Sequence, residues 1–168
     1  MNWKTAFVFL AAAFIVTRGS RRKGVMLSKN FSLGEFTKSQ AAKQMGIINV
    51  PGPTEVSRLQ ALVLNVLQPL RTAMGYPVIV KSGYRSSDLN LAIGGAVNSS
   101  HMKGEAADIV GSNKAQMFNY IKDNLPFDQL IWEKGNNTEP EWIHVSYKSI
   151  GNRKQVLQYI PGQGYLDI

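Results

Sequence analysis

Val56, Leu59, Leu62, Val63, Val66, Leu67 and Leu70 recur three or four residues apart, the spacing that lines one face of an α-helix. The pattern predicts a long amphipathic helix after the Pro51-Gly52-Pro53 loop, capped by Thr54 and ended before Gly75. Pro69 falls inside it and has no N–H to give, so a kink or break is expected there. Upstream, Phe31-Ser32-Leu33-Gly34-Glu35-Phe36 holds a capping box, Ser32 with Glu35, and Phe31 is placed to staple onto Phe36. A helix to about Met45, closed by Gly46, should follow.

Beyond Gly75 the pattern changes. Tyr76 to Lys81 is β-branched and reads as a strand, and Ser86 to Ile93 reads as a short helix ended by Gly94-Gly95. Ala106 to Val110 reads as a strand, and Lys114 to Asn124 as a helix opened by Ser112 or Asn113. Phe127 to Glu133, Trp142 to Tyr147 and Gln155 to Ile160 have strand composition. Helices come first and most strands later. The expected class is therefore α+β, one domain with a small, mostly antiparallel sheet flanked by helices. The domain should span 27–160, preceded by an N-terminal segment (1–26) and followed by a tail (161–168).

Residues Ala6 to Val16 form a run of eleven apolar residues after Lys4, the size of a signal-peptide core and short of the roughly 17–20 residues that span a bilayer. No small-x-small cleavage site follows, and Arg18, Arg21, Arg22 and Lys23 cluster on its C-terminal side, where they favour cytoplasmic retention. The segment reads as an uncleaved signal anchor, a poor signal peptide or a membrane-attached helix, against a buried core helix. Membrane association or export to the cell-wall side is the expectation.

The 44% apolar and 18% charged composition is that of a globular chain. With no cysteine, disulfides, thiolate metal sites and cysteine nucleophiles are excluded. The net charge of +8 attracts polyanions such as nucleic acid, anionic lipid or acidic wall polymers. Nucleic acid is disfavoured, because the positive charge concentrates beside the apolar run instead of interleaving with aromatics.

The two histidines carry the candidate chemistry. His101 opens His101-Met102-Lys103-Gly104-Glu105-Ala106-Ala107-Asp108, and His144 closes Pro140-Glu141-Trp142-Ile143-His144. Imidazole nitrogen and carboxylate oxygen are what zinc accepts without thiolate, and two His with one Asp leave a position open, as catalytic sites do. The small residues Gly104, Ala106 and Ala107 would let the chain turn Asp108 back beside His101. Each signal alone is weak, since a lone His is more often a hydrogen-bonded structural residue.

Their order and surroundings are more specific. Ser82-Gly83-Tyr84-Arg85-Ser86, then Ser100-His101-x-x-Gly104-x-Ala106-x-Asp108, then Glu141-x-x-His144 closely resembles the M15 family of zinc D-Ala-D-Ala carboxypeptidases and related murein endopeptidases. The zinc-binding hedgehog domain shares that fold. Phe31 to Phe36, Leu67 to Arg71 and Phe127 to Glu133 look like the small bacterial and phage branch, and the resemblance extends over Leu27 to Tyr159.

The resemblance implies one zinc ion held by His101, Asp108 and His144, polarising a carbonyl and lowering the pKa of bound water toward about 7. Glu141 would carry both proton transfers, with Glu133 and Glu139 as fallback bases. Positions three apart on a strand face opposite sides, so Glu141 must sit before the strand or at a bend beside Pro140. Arg85 would hold a substrate carboxylate or the oxyanion. Ser100 would bind substrate or support the ligands, and Tyr84 and Trp142 would line the cleft, although aromatics on such runs are more often core.

The expected activity is hydrolysis in the peptidoglycan stem peptide, by a monomer, as a D-Ala-D-Ala carboxypeptidase or an L-Ala-D-Glu endopeptidase. A role in phage-type lysis, as an endolysin, or in wall remodelling fits the short chain with its basic flank. The alternative is an inactive zinc-containing wall-binding module.

Overall fold

The computed structural model describes residues 24–168. The expected N-terminal anchor lies outside the described residues, among which no helix is long and apolar enough to cross a membrane. The elements run α1 (Leu33–Thr37), α2 (Gln40–Met45), α3 (Pro53–Leu62), α4 (Gln68–Met74), β1 (Ile79–Ser82), α5 (Ser87–Ala92), β2 (Ala106–Val110), α6 (Lys114–Asn124), β3 (Gln129–Glu133), β4 (Trp142–Ser146), β5 (Gln155–Ile160) and β6 (Gly164–Asp167).

The α1 capping box is present: Glu35 Oε1 accepts from the Ser32 N–H at 2.8 Å and from its hydroxyl at 2.7 Å. Phe31 and Phe36 are both buried, with ring centroids 6.2 Å apart. Where one helix to Met45 is expected, there are two. Lys38 is extended, and Ser39 then caps α2 by accepting the Ala42 N–H. The long helix begins two residues earlier than expected, with Gly52 in place of Thr54 as its N-cap and Pro53 in a first turn whose N–H groups are unpaired anyway.

Pro69 neither breaks nor ends that helix. A π-helical turn over Val63–Leu67 joins α3 to α4, with the Gln68 N–H reaching the Val63 carbonyl five residues back. Widening the ladder just before Pro69 accommodates the missing donor, and the apolar stripe stays on one side. Leu59, Leu62, Val63, Val66, Leu67 and Leu70 are all fully buried.

The sheet is six-stranded, in the order β1-β2-β4-β3-β5-β6. Every neighbouring pair is antiparallel except β3 and β5. The expected tail folds back as β6 on β5. Alternation along the strands divides the sheet into two faces. Ala107 and Ile109 of β2, Leu130 and Trp132 of β3, and Ile143 and Val145 of β4 join the helical stripe and Met117, Phe118 and Ile121 of α6 in one core. The other face, set by the pairings Asp108↔His144, Ile131↔His144 and Ile131↔Leu157, carries the polar residues.

At the far end of β3, fully buried Asp128 fastens the β4–β5 connection. Its carboxylate accepts from Arg153 Nε at 2.9 Å and Nη2 at 2.7 Å, and pairs with Lys148 Nζ at 3.1 Å.

Candidate metal centre

His101 sits in a turn, not on a strand. Its carbonyl accepts from the Arg85 N–H at 3.3 Å and the Gly104 N–H at 3.2 Å. Gly104 has φ +70, and a Cβ there would lie 2.5 Å from the Glu55 carbonyl oxygen, so both backbone conformation and space call for glycine. From this turn the chain enters β2, where Asp108 lies directly opposite His144 of β4.

Three donor atoms meet on this face. His144 Nδ1 lies 3.0 Å from Asp108 Oδ1 and 3.2 Å from His101 Nε2, and His101 Nε2 lies 3.3 Å from Asp108 Oδ1. His101 Nδ1 donates to the Gly83 carbonyl at 2.7 Å, which fixes the tautomer and leaves Nε2 with a lone pair facing the group. The close approach has a local cause. Gly83 packs where a Cβ would lie 2.6 Å from the Phe36 carbonyl oxygen.

Burial pushes the His101 imidazole below its usual range, against the pull of Asp108, so it is neutral at pH 7 as a ligand must be. Burial alone would raise Asp108, but the contacts with His101 and His144 outweigh it and hold its carboxyl well below the usual carboxylate range. Donors held by bonds of about 2.0–2.1 Å to a tetrahedral centre are separated by about 3.3–3.4 Å, which the observed 3.0–3.3 Å triangle approaches. The donor set and its spacing fit zinc.

Arg85 reaches the same carboxylate from behind. Its Nη2 donates to Asp108 Oδ2 at 3.1 Å and its Nε to Ser82 Oγ at 3.2 Å. It therefore orients Asp108 through two of its five N–H donors.

The triad forms the floor of a cleft of about 580 Å3. Gly94, Gly95, Ala96, Asn98 and Ser99 wall one side; Leu157, Tyr159 and Tyr165 wall the other. Of the expected cleft residues, Trp142 lines it. Tyr84 lines a neighbouring cavity that meets the cleft at Arg85. Ser100 turns its carbonyl to the Lys103 and Glu105 N–H groups, and its neighbour Ser99 lines the cleft instead.

The carboxylates separate clearly. Glu141 occupies a bend before β4, where strand periodicity required it, with its N–H on the Glu133 carbonyl at 3.0 Å. Its side chain is exposed and outside the cleft lining. Glu139 pairs with Lys114. Glu133 lines the cleft and is only 8% exposed. Burial pushes its carboxyl up; His144 opposes the rise and Asp108 adds to it. A carboxylate raised toward neutrality beside the donor group is suited to proton transfer. Sequence spacing favoured Glu141, whereas the strand pairing that puts Ile131 opposite His144 brings Glu133 to the same face. Tyr165 escaped the sequence because the tail does not read as a strand, and Tyr159 because no spacing places β5 beside the cleft.

The family described as peptidase M15 matches residues 29–146, most of the chain, including all three donors. The chain belongs to this family. It is also 38% identical over 82 residues to the zinc D-Ala-D-Ala carboxypeptidase of Streptomyces albus G. That stretch is 48% of this chain and 31% of the relative, so the chain spans about a third of that protein. The M15 match ends at the last residue of β4, so the Leu157, Tyr159 and Tyr165 wall belongs to a part of the chain beyond it.

Proposed function

We propose that this M15 member is a zinc peptidase that hydrolyses peptide bonds in the peptidoglycan stem peptide. The observation that carries the reading is the His101–Asp108–His144 donor triangle on the floor of a cleft that also holds a buried carboxylate, Glu133. When bound, zinc supplies a Lewis acid that polarises a carbonyl and activates water near neutral pH. The protein's own groups do the rest. His101 and His144 present ring nitrogens, Asp108 supplies the anionic donor, and Arg85 with Ser82 keeps that carboxylate aimed. Glu141, three residues before His144, or Glu133, buried in the cleft, takes the proton from the attacking water and returns it to the leaving amine.

Two scissile bonds stay within this reading. The Streptomyces albus G relative supports removal of a terminal D-Ala, whereas a cleft with walls on both sides of the triad supports a peptide running through it, as in an L-Ala-D-Glu endopeptidase. The basic, apolar N-terminal sequence supports membrane attachment or export, and with it a part in phage-type lysis or wall remodelling. A binding module without activity is disfavoured by a cleft that retains both the donors and a carboxylate beside them.

Purified peptidoglycan incubated with the zinc-loaded chain should release soluble fragments. Their masses name the bond: loss of alanine alone for the carboxypeptidase, release of whole stem peptides for the endopeptidase. Intact peptidoglycan and intact stem peptides after long incubation would refute the peptidase.

A further inference from the structure

Arg85, the expected receptor for a substrate carboxylate, is already bonded to Asp108 and Ser82. Two other cations approach the Trp142 ring, Lys134 from the cleft itself and Lys81 from the neighbouring cavity. Lys134 Nζ lies 5.1 Å from the centroid of the Trp142 ring, and Lys81 Nζ lies 4.6 Å from the same centroid. Among the described residues neither ammonium has a carboxylate within ion-pair distance, although Arg58, Arg85, Lys114, Lys148 and Arg153 all do.

Both lysines are held in place. Lys81 lies at the irregularity of β1 between Val80 and Ser82, and lines the neighbouring cavity that meets the cleft at Arg85. Lys134 follows Glu133 directly and lines the cleft itself. It adopts φ 56, a left-handed conformation unusual for a residue with a side chain, and its N–H is fixed on the Tyr159 carbonyl at 3.1 Å. The Trp142 ring that both approach also lines the cleft.

We propose that Lys134 and Lys81, gathered around Trp142, form the site that binds a carboxylate of the substrate beside the metal centre. The inference rests on the peptidase reading and deepens it, because it requires an acidic substrate. The stem peptide has two carboxylates of this chemistry near its scissile bonds: its C-terminus and its internal D-glutamate. The site sets substrate affinity and leaves the chemical step to the donor triangle and the carboxylate beside it.

The test compares the zinc-loaded full chain with its Lys134→Met, Lys81→Met and Lys134→Arg variants. The substrates are a synthetic stem pentapeptide as the free acid, as the C-terminal amide, and with the D-glutamate carboxyl amidated. Lys134→Met should raise KM for the free acid on the order of tenfold, with zinc stoichiometry unchanged. Lys81→Met should act in the same direction, and Lys134→Arg should restore KM. Amidating the carboxylate that is bound should erase the difference between wild type and variant, and so name that carboxylate. Equal KM increases for the acid and both amides, or no increase for either lysine variant, would overturn the site.

Calorimetric binding of the same peptides requires no turnover and separates the two claims. A wild type that binds the acid more tightly than an amide, loses that preference in Lys134→Met and cleaves nothing removes the peptidase and keeps the lysine site. A wild type that cleaves while its lysine variants behave identically removes the lysine site alone. A chain that neither binds nor cleaves removes both.

Discussion

At the scale of single residues, the account turns on two carboxylates and one arginine. Glu133 is buried in the cleft and Glu141 is exposed outside its lining. Of Glu141→Gln and Glu133→Gln, the variant that removes the proton-transfer carboxylate should lower kcat by roughly 10²–10⁴ while zinc binding persists, and the other should cost far less; steady-state kinetics of the two side by side decide between them. Arg85 acts through Asp108. Arg85→Met should therefore weaken zinc affinity by roughly 10–100-fold, measured by competition with a chromogenic chelator. The donors were legible through the ordered motifs that resemble the M15 family, since two histidines and no cysteine alone leave the choice of carboxylate open. Glu133 was legible only as a fallback. Its nearness to His144 comes from the pairing of β3 with β4, and no spacing along the chain encodes that register.

At the scale of elements, local rules fixed most boundaries and packing decided the rest. The capping box, the Asn113 cap and the apolar stripe of the long helix are all local and all present. The π-helical turn before Pro69 was not legible. A proline missing one donor allows a kink, a break or a widened ladder, and a fully buried stripe selects the one that keeps its face aligned. Gly83 joins element to site: its carbonyl holds His101, and its missing Cβ lets the Phe36 backbone approach. Gly83→Ala should cost about 1–3 kcal/mol, as overpacking does, and should weaken zinc binding with it. Thermal melting with a zinc titration on the same sample checks both. A loss of stability with unchanged zinc affinity would uncouple the glycine from the metal centre.

At the scale of the whole molecule, the sheet works as a partition, with the apolar core on one face and the cleft on the other. The α+β class and the mostly antiparallel sheet could be read from the order of helices and strands. The exception, β5 beside β3 in parallel, depends on the β4–β5 connection that Asp128 fastens. Burial would raise the Asp128 carboxyl, but the bonds from Arg153 and Lys148 prevail and hold it at about 2. Its folded value is below the unfolded value of about 3.9, so this stabilisation is complete above that value and fades as pH falls toward 2. It amounts to about 2 kcal/mol at neutral pH. Asp128→Asn should therefore cost more stability in urea melts at pH 7 than at pH 3, and an equal cost at both would contradict the assignment.

The central claim is that one zinc ion in the His101–Asp108–His144 group makes this chain a stem-peptide hydrolase. Its most direct test titrates metal-free protein with zinc while following hydrolysis of a stem peptide. Activity should rise from zero and level off at one equivalent, and Asp108→Ala protein should show no such rise. Hydrolysis that is full before zinc is added, or absent at every zinc level, would contradict the claim.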